Sequence, residues 1–141
     1  MIIDSISSSI IQADGLGALA ACSPNGQWKE LNIGGVINTA LELAYTYEPS
    51  LLAIKIPLID VMTIPPELFD TAVQFHKTVK EKKKVTLVHC LGGINRSSTV
   101  IAALLIAEGE KVDSALRRLP RKPWGSGLVE SLREWAKQRK Y

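Results

Sequence analysis

The chain has 141 residues, enough for one domain and not comfortably for two. Apolar residues make up 46% of it and charged residues 22%, which allows a buried core and argues against a disordered chain. A net charge of +3 favours anionic ligands but lies far from the balance of a nucleic-acid-binding protein. No apolar run approaches the length of a membrane span, and the first nine residues lack the basic start of a secretory signal. Two cysteines, Cys22 and Cys90, make neither a disulfide framework nor a CxxC zinc site. The expectation is one domain over residues 1–141: a cytoplasmic monomer with reduced thiols, no metal or other cofactor, no nucleic-acid partner and no membrane span.

In chain order, residues 1–12 carry Ile2, Ile3, Ile6, Ile10 and Ile11 among serines and predict one or two short strands. Residues 13–26, rich in Gly, Ala and Pro, predict a turn with a short helix. Trp28, Leu31 and Ile33 suggest a brief helical turn, punctuated by Gly34-Gly35 before a buried strand opens at Val36-Ile37. Leu51 to Ile56 has strand length. Pro65-Pro66 opens a helix whose face is Leu68, Ala72, Phe75 and Val79, and the charged run Glu81-Lys82-Lys83-Lys84 closes it as a solvated end. Val85 to Val88 is a short strand apolar on both faces, as at the centre of a parallel sheet. Ser97 to Glu108 is apolar on nearly all sides and predicts a buried helix. Two further helices are expected near 111–119 and 127–139, with Trp124 in the loop between them. The alternation implies an α/β fold: a mostly parallel central sheet of four to five strands flanked by helices.

The chemistry concentrates at Val85-Thr86-Leu87-Val88-His89-Cys90-Leu91-Gly92-Gly93-Ile94-Asn95-Arg96-Ser97-Ser98-Thr99. A central strand ends at Cys90, a loop with two glycines follows, and a buried helix begins near Arg96. Ligand sites in open α/β sheets lie beyond the carboxyl ends of strands. A loop of this length at a helix N-terminus can turn the N–H groups of Leu91, Gly92, Gly93, Ile94 and Asn95 inward, making an anion cradle. A thiol at the bottom of that cradle sits in positive potential, which favours its thiolate. Arg96, six residues on, can fold back and grip two oxygens with its planar fork. Thiolate, amides and arginine around one tetrahedral anion are the parts for phosphoryl transfer to sulfur. The Gly-Lys-Ser/Thr ending of a nucleotide-binding loop is absent.

His89-Cys90-x5-Arg96-Ser97, with Gly93 three residues after the cysteine, resembles the active-site motif of the protein tyrosine phosphatase superfamily, and the short chain resembles its compact dual-specificity branch. The resemblance runs from about Val36 to Leu132. It implies metal-independent hydrolysis of phosphate monoesters, phosphotyrosine and phosphoserine/threonine in proteins, through a phosphocysteine intermediate. It also implies that Asp60, about thirty residues before Cys90, is the acid on a mobile loop, that Ser97 supplies the hydroxyl stabilising the thiolate, and that His89 structures the loop. The substrate partner is then a phosphorylated protein or a small phosphoester. The cradle departs from relatives acting on inositol phosphates, since Leu91, Gly92, Ile94 and Asn95 bring no basic side chain. Ser131 stands about where the family places a glutamine. Two other readings remain open on the sequence: a phosphate-binding pseudophosphatase serving as an interaction module, and a phosphatase for a non-protein phosphoester such as an inositol phosphate.

The remaining polar residues read more plainly. Cys22 is expected to be a small, semi-buried residue; His76 a surface or boundary residue; Asp70 a helix residue and a poor rival to Asp60. Arg117, Arg118, Arg121 and Lys122 are expected to be mostly solvated, and Trp124 to be a packing residue.

Overall fold

The computed structural model describes residues 1–60, 62–124 and 126–141. Its elements run β1 (Ile3–Ser7), β2 (Ile10–Ala13), α1 (Gly15–Cys22), β3 (Ile33–Ala40), β4 (Leu52–Leu58), α2 (Pro66–Glu81), β5 (Val85–His89), α3 (Arg96–Ala107), α4 (Val112–Arg118) and α5 (Ser126–Gln138). The sheet has the order β1-β2-β5-β3-β4; β1 pairs antiparallel to β2, and the other pairings are parallel. This is the expected mostly parallel sheet, with the antiparallel hairpin at one edge.

β5 lies at the centre, between β2 and β3, so both its faces must be covered. Val88 points into the larger core, with Ile10, Ile37, Ile101 and Leu104 under α2 to α5. Leu87 points the other way, into a smaller core with Ile11, Val36, Ala18 and Cys22 under α1. Trp135 of α5 is fully buried and its ring centre lies 5.2 Å from that of Phe69 of α2, closing the outer end of the larger core. Edge strand β4 carries Pro57, where the missing N–H costs no ladder bond on its open side.

Three expectations need correction. Ile33 is the first residue of β3 and not part of a helical turn; the turn before it is held by Leu31 N to Gln27 O at 3.0 Å and Asn32 N to Lys29 O at 3.1 Å, and Ile33 N closes it on Trp28 O at 2.8 Å. Gly34 and Gly35 do not punctuate but lie inside β3. A side chain on Gly35 would put its Cβ 2.4 Å from Val79 Cγ2, so this glycine lets α2 approach the sheet closely. His76, expected near the surface, is 2% exposed on the inner stripe of α2 with Phe69, Ala72, Val73 and Val79. Thr86 of β5 makes this burial tolerable, because its hydroxyl meets His76 Nδ1 at 2.7 Å.

Candidate active site

Cys90 follows β5 directly and is 2% exposed. Its Sγ receives the Gly93 N–H at 3.2 Å and lies 3.3 Å from Ser97 Oγ in the first turn of α3. Gly93 reaches back to the sulfur because its φ is +70°, and a Cβ there would approach the Asp14 backbone to 3.0 Å. The loop is tied from outside as well: Gly15 N donates to Leu91 O at 2.9 Å. Asn95 precedes α3 without a side-chain cap, so the first-turn amides are not closed off by its own side chain.

His89 holds the backbone at this point. A carbonyl can only accept, so the 3.2 Å contact to Cys90 O places the ring proton on Nδ1. Nε2 is then the acceptor, taking the Tyr47 hydroxyl proton at 2.6 Å. Tyr45 stacks on the ring, 5.6 Å between centroids. Burial pushes the imidazole down to about 4, against the opposing pull of the Cys90 carbonyl and Asp14, so the ring is neutral near pH 7.

Arg96 is 5% exposed, and a residue the sequence did not single out orients it. Glu42, in the turn after β3, pairs with it bidentately: Nη1 to Oε1 at 2.6 Å and Nη2 to Oε2 at 2.8 Å. Nη1 also donates to Leu58 O at 3.0 Å. The hydrogen bond from Arg96 is the main reason the Glu42 carboxyl falls to about 2. A guanidinium has five N–H protons. Those three bonds leave the Nε proton and one Nη2 proton, which lie on one edge of the fork. Nε is buried and without a hydrogen bond, although Asp60 Oδ1 stands 3.3 Å away. Glu42 went unnoticed because an isolated glutamate in a loop carries no spacing signal.

Asp60 leaves the end of β4 with its side chain about half exposed. Asn95, expected in the cradle, is also a cross-brace: its Nδ2 contacts Asp60 O at 3.4 Å and its Oδ1 accepts from Trp124 N at 2.7 Å. Trp124 is 55% exposed rather than packed, and joins Asp60, Cys90, Leu91, Ile94 and Arg96 around a cavity of about 260 Å³. Ser131 accepts from Ile64 N at 2.8 Å and donates to Gly127 O at 2.6 Å, so it anchors the segment after Asp60. Asp70 pairs with Arg139 and accepts from Trp135 Nε1 on α5.

Two further expectations fail in the described structure. Cys22 is fully buried at the end of α1, not semi-buried. Arg121 is not a solvated residue: its Nε donates to Gly93 O at 2.7 Å, its Nη2 to Gln12 Oε1 at 3.1 Å, and its Nη1 meets Asp4 Oδ2 at 2.6 Å. The aliphatic-looking strand Ile10-Ile11-Gln12-Ala13 hides a completely buried glutamine. A lone amide in a strand covered on both faces was the available signal.

A strand-end cysteine, a glycine-turned loop and an arginine at the start of a buried helix meet around one cavity. The sequence pattern of the family described as dual specificity phosphatase, catalytic domain, matches residues 16–137, and the chain belongs to that family. Mouse dual specificity protein phosphatase 14 is 35% identical over 92 residues, covering 62% of this chain and 46% of that protein. Dual specificity protein phosphatase 1 of Arabidopsis thaliana is 28% identical over 121 residues, covering 84% of this chain and 61% of the relative. The match thus spans 36–46% of the length of the first three curated relatives. The crystal structure of human DUSP28 superposes with a TM-score of 0.85, over 99% of this chain and 98% of that one, at 15% identity. That likeness concerns the fold. No helix among the described residues is long and apolar enough to cross a membrane.

Proposed function

We propose that this protein hydrolyses phosphate monoesters on protein side chains through a phosphocysteine at Cys90, without a metal. The observation that carries this reading is the pair of Arg96 protons left without a hydrogen bond among the described residues, on one edge of a fork locked by Glu42, at a cavity lined by Cys90. Two parallel donors at fixed spacing suit two oxygens of a tetrahedral phosphoryl group. The Cys90 thiolate attacks phosphorus, the P–O bond to the leaving group breaks, and the Asp60 carboxyl gives that oxygen its proton. Water then attacks the phosphocysteine, Asp60 takes the proton, and the P–S bond breaks to return the thiolate, which accepts the Ser97 hydroxyl proton as a hydrogen bond. The amides of residues 91–95 and Arg96 carry the charge of both transition states.

The rim favours a protein substrate. Exposed Leu91, Ile94, Ile59 and Trp124 surround or adjoin the mouth, and among the described residues no lysine or second arginine lines the cavity to meet further phosphates. The decisive experiment is rapid acid quench of the protein with an aryl phosphate, followed by mass spectrometry. A phosphoryl adduct on the Cys90 peptide is expected, trapped more fully in Asp60→Ala. Turnover with no adduct at Cys90, or turnover that requires added Mg2+, would reject this mechanism.

A further inference from the structure

Gln12 of β2 is an amide side chain set beneath α3, and it is 0% exposed. Its Nε2 lies 2.9 Å from Ser97 Oγ and 2.8 Å from Ser98 Oγ, and its Oε1 lies 3.1 Å from Arg121 Nη2. Directions follow from chemistry. A guanidinium has no acceptor, so the atom facing Arg121 must be the amide oxygen. The amide nitrogen therefore faces the two serines, and both its protons are donated there. Ser98 passes its own proton on to Arg121 O at 3.0 Å. Ser97 accepts from Gln12 and keeps one proton; a neutral Cys90 thiol donates to its Oγ at 3.3 Å, whereas a thiolate can only accept, so on ionisation that serine proton turns to Sγ. Arg121 is itself aligned by Asp4 of β1, and its Nε holds the Gly93 carbonyl, on the residue whose N–H contacts the same sulfur.

We propose that Arg121 and Gln12 are positioning residues for the Cys90 centre, a directed relay of hydrogen bonds that fixes the Ser97 hydroxyl as a donor to the sulfur. With Cys90 ionised, the donor-to-acceptor sense runs Arg121 to Gln12 to Ser97 to Cys90. A donor held in place stabilises sulfur as a thiolate, both as nucleophile and as the group expelled from the phosphocysteine. This rests on the functional reading above, but its test does not need turnover. Each link is buried or partly buried, where a hydrogen bond is electrostatically strong and a reversed one is costly.

The rate of Cys90 alkylation by iodoacetamide against pH reports thiolate formation in the folded protein, read by mass spectrometry of the Cys90 peptide. Gln12→Leu should move that profile to higher pH by about one unit and lower kcat more than it changes KM. Ser98→Ala removes the other branch of the same amide and should leave the profile in place. In a Ser97→Ala background, Gln12→Leu should add no further shift. Arg121→Met, at the partly exposed end of the relay, should move the profile the same way even if Gln12→Leu does not fold. An unchanged profile in folded Arg121→Met and Gln12→Leu overturns the relay, as does a Gln12→Leu shift that persists in full without Ser97. If the profile moves as described while the wild-type protein turns over no phosphomonoester, the relay stands and the functional reading falls.

Discussion

The two cysteines are both hidden from solvent and lie in opposite surroundings. Cys22 closes α1 among Ala18, Ala21, Ile33 and Val36, fully buried, and burial alone pushes its thiol up to about 12. Cys90 is 2% exposed, yet a backbone N–H and a serine hydroxyl reach its sulfur and a helix begins six residues on. Burial without donors silences a thiol, because the thiolate loses hydration and gains nothing. Burial inside a shell of donors replaces that hydration with fixed dipoles. Position in the fold, at a strand end facing a helix N-terminus against the inner face of a helix, decides which case applies.

Applying one substitution at both sites breaks the comparison most sharply. Cys90→Ser should lower kcat/KM for an aryl phosphate on the order of 10^4-fold or more with the fold intact, since a hydroxyl there is a far weaker nucleophile. Equal damage from Cys22→Ser would mean that the two environments do not differ as described. Next in size is Asp60→Asn, which keeps the shape of the side chain but has no proton to give. Hydrolysis of phosphotyrosine should slow by roughly 10²-fold, and an aryl phosphate with a much better leaving group should slow less. A uniform loss across leaving groups would assign Asp60 to orienting Arg96, 3.3 Å away, instead of to proton transfer.

The difference between these cysteines was legible in the sequence because it is local. The strand, His89, the two glycines, Arg96 and Ser97 are contiguous, and each residue type reports the backbone it needs. Asp60 was singled out through the family resemblance, and it lies after β4 with Oδ1 3.3 Å from Arg96 Nε. What escaped lies across the fold. Glu42, Gln12 and Arg121 reach the site from β3's end, β2 and the loop after α4, at separations of 54 residues for Glu42 to Arg96 and 109 for Arg121 to Gln12. No periodicity links such positions. The face of α2 was read too narrowly: Ala72 and Val79 are buried as expected and Leu68 and Phe75 pack partly buried against the core, but Phe69, Val73 and His76 were left out of the stripe. That slip is what sent His76 to the surface.

The two histidines extend the comparison to the opposite charge. Burial holds both His89 and His76 below their ordinary range, His89 at about 4, with the Glu108 carboxylate opposing and Lys80 reinforcing the effect at His76. The folded chain therefore stays unprotonated where the unfolded chain binds protons. Stability is retained above the ordinary histidine range near 6.5 and is lost as pH falls from there toward 4. For His89 the loss amounts to about 3 kcal/mol across that window. Urea unfolding at pH 7, 6, 5 and 4 should show this decline, and His89→Gln should flatten it. A slope unaltered by that exchange would place the acid sensitivity at His76, because the Glu42–Arg96 pair loses its contribution only lower, as pH falls from the ordinary carboxylate range toward 2.

The smallest expected effect is at Cys22. Cys22→Ala removes a sulfur from a packed apolar pocket and should cost about 1 kcal/mol. Cys22→Ser places a hydroxyl in the same space. Its penalty is softened because a serine in the last turn of a helix can donate to the carbonyl four residues back, here Ala18, so the total should be about 1–2 kcal/mol. Neither change should alter kcat/KM beyond about twofold, since surface-neutral shifts in stability leave a folded active site intact. Alkylation gives the matching kinetic test. Cys90 should react with iodoacetamide in the native protein at pH 7, whereas Cys22 should react only as fast as the protein opens, accelerating with urea in step with unfolding. Native-state labelling of Cys22 at a rate independent of urea would mean that the pocket under α1 opens locally. The contrast between the two thiols would then come from access rather than from the donors around the sulfur.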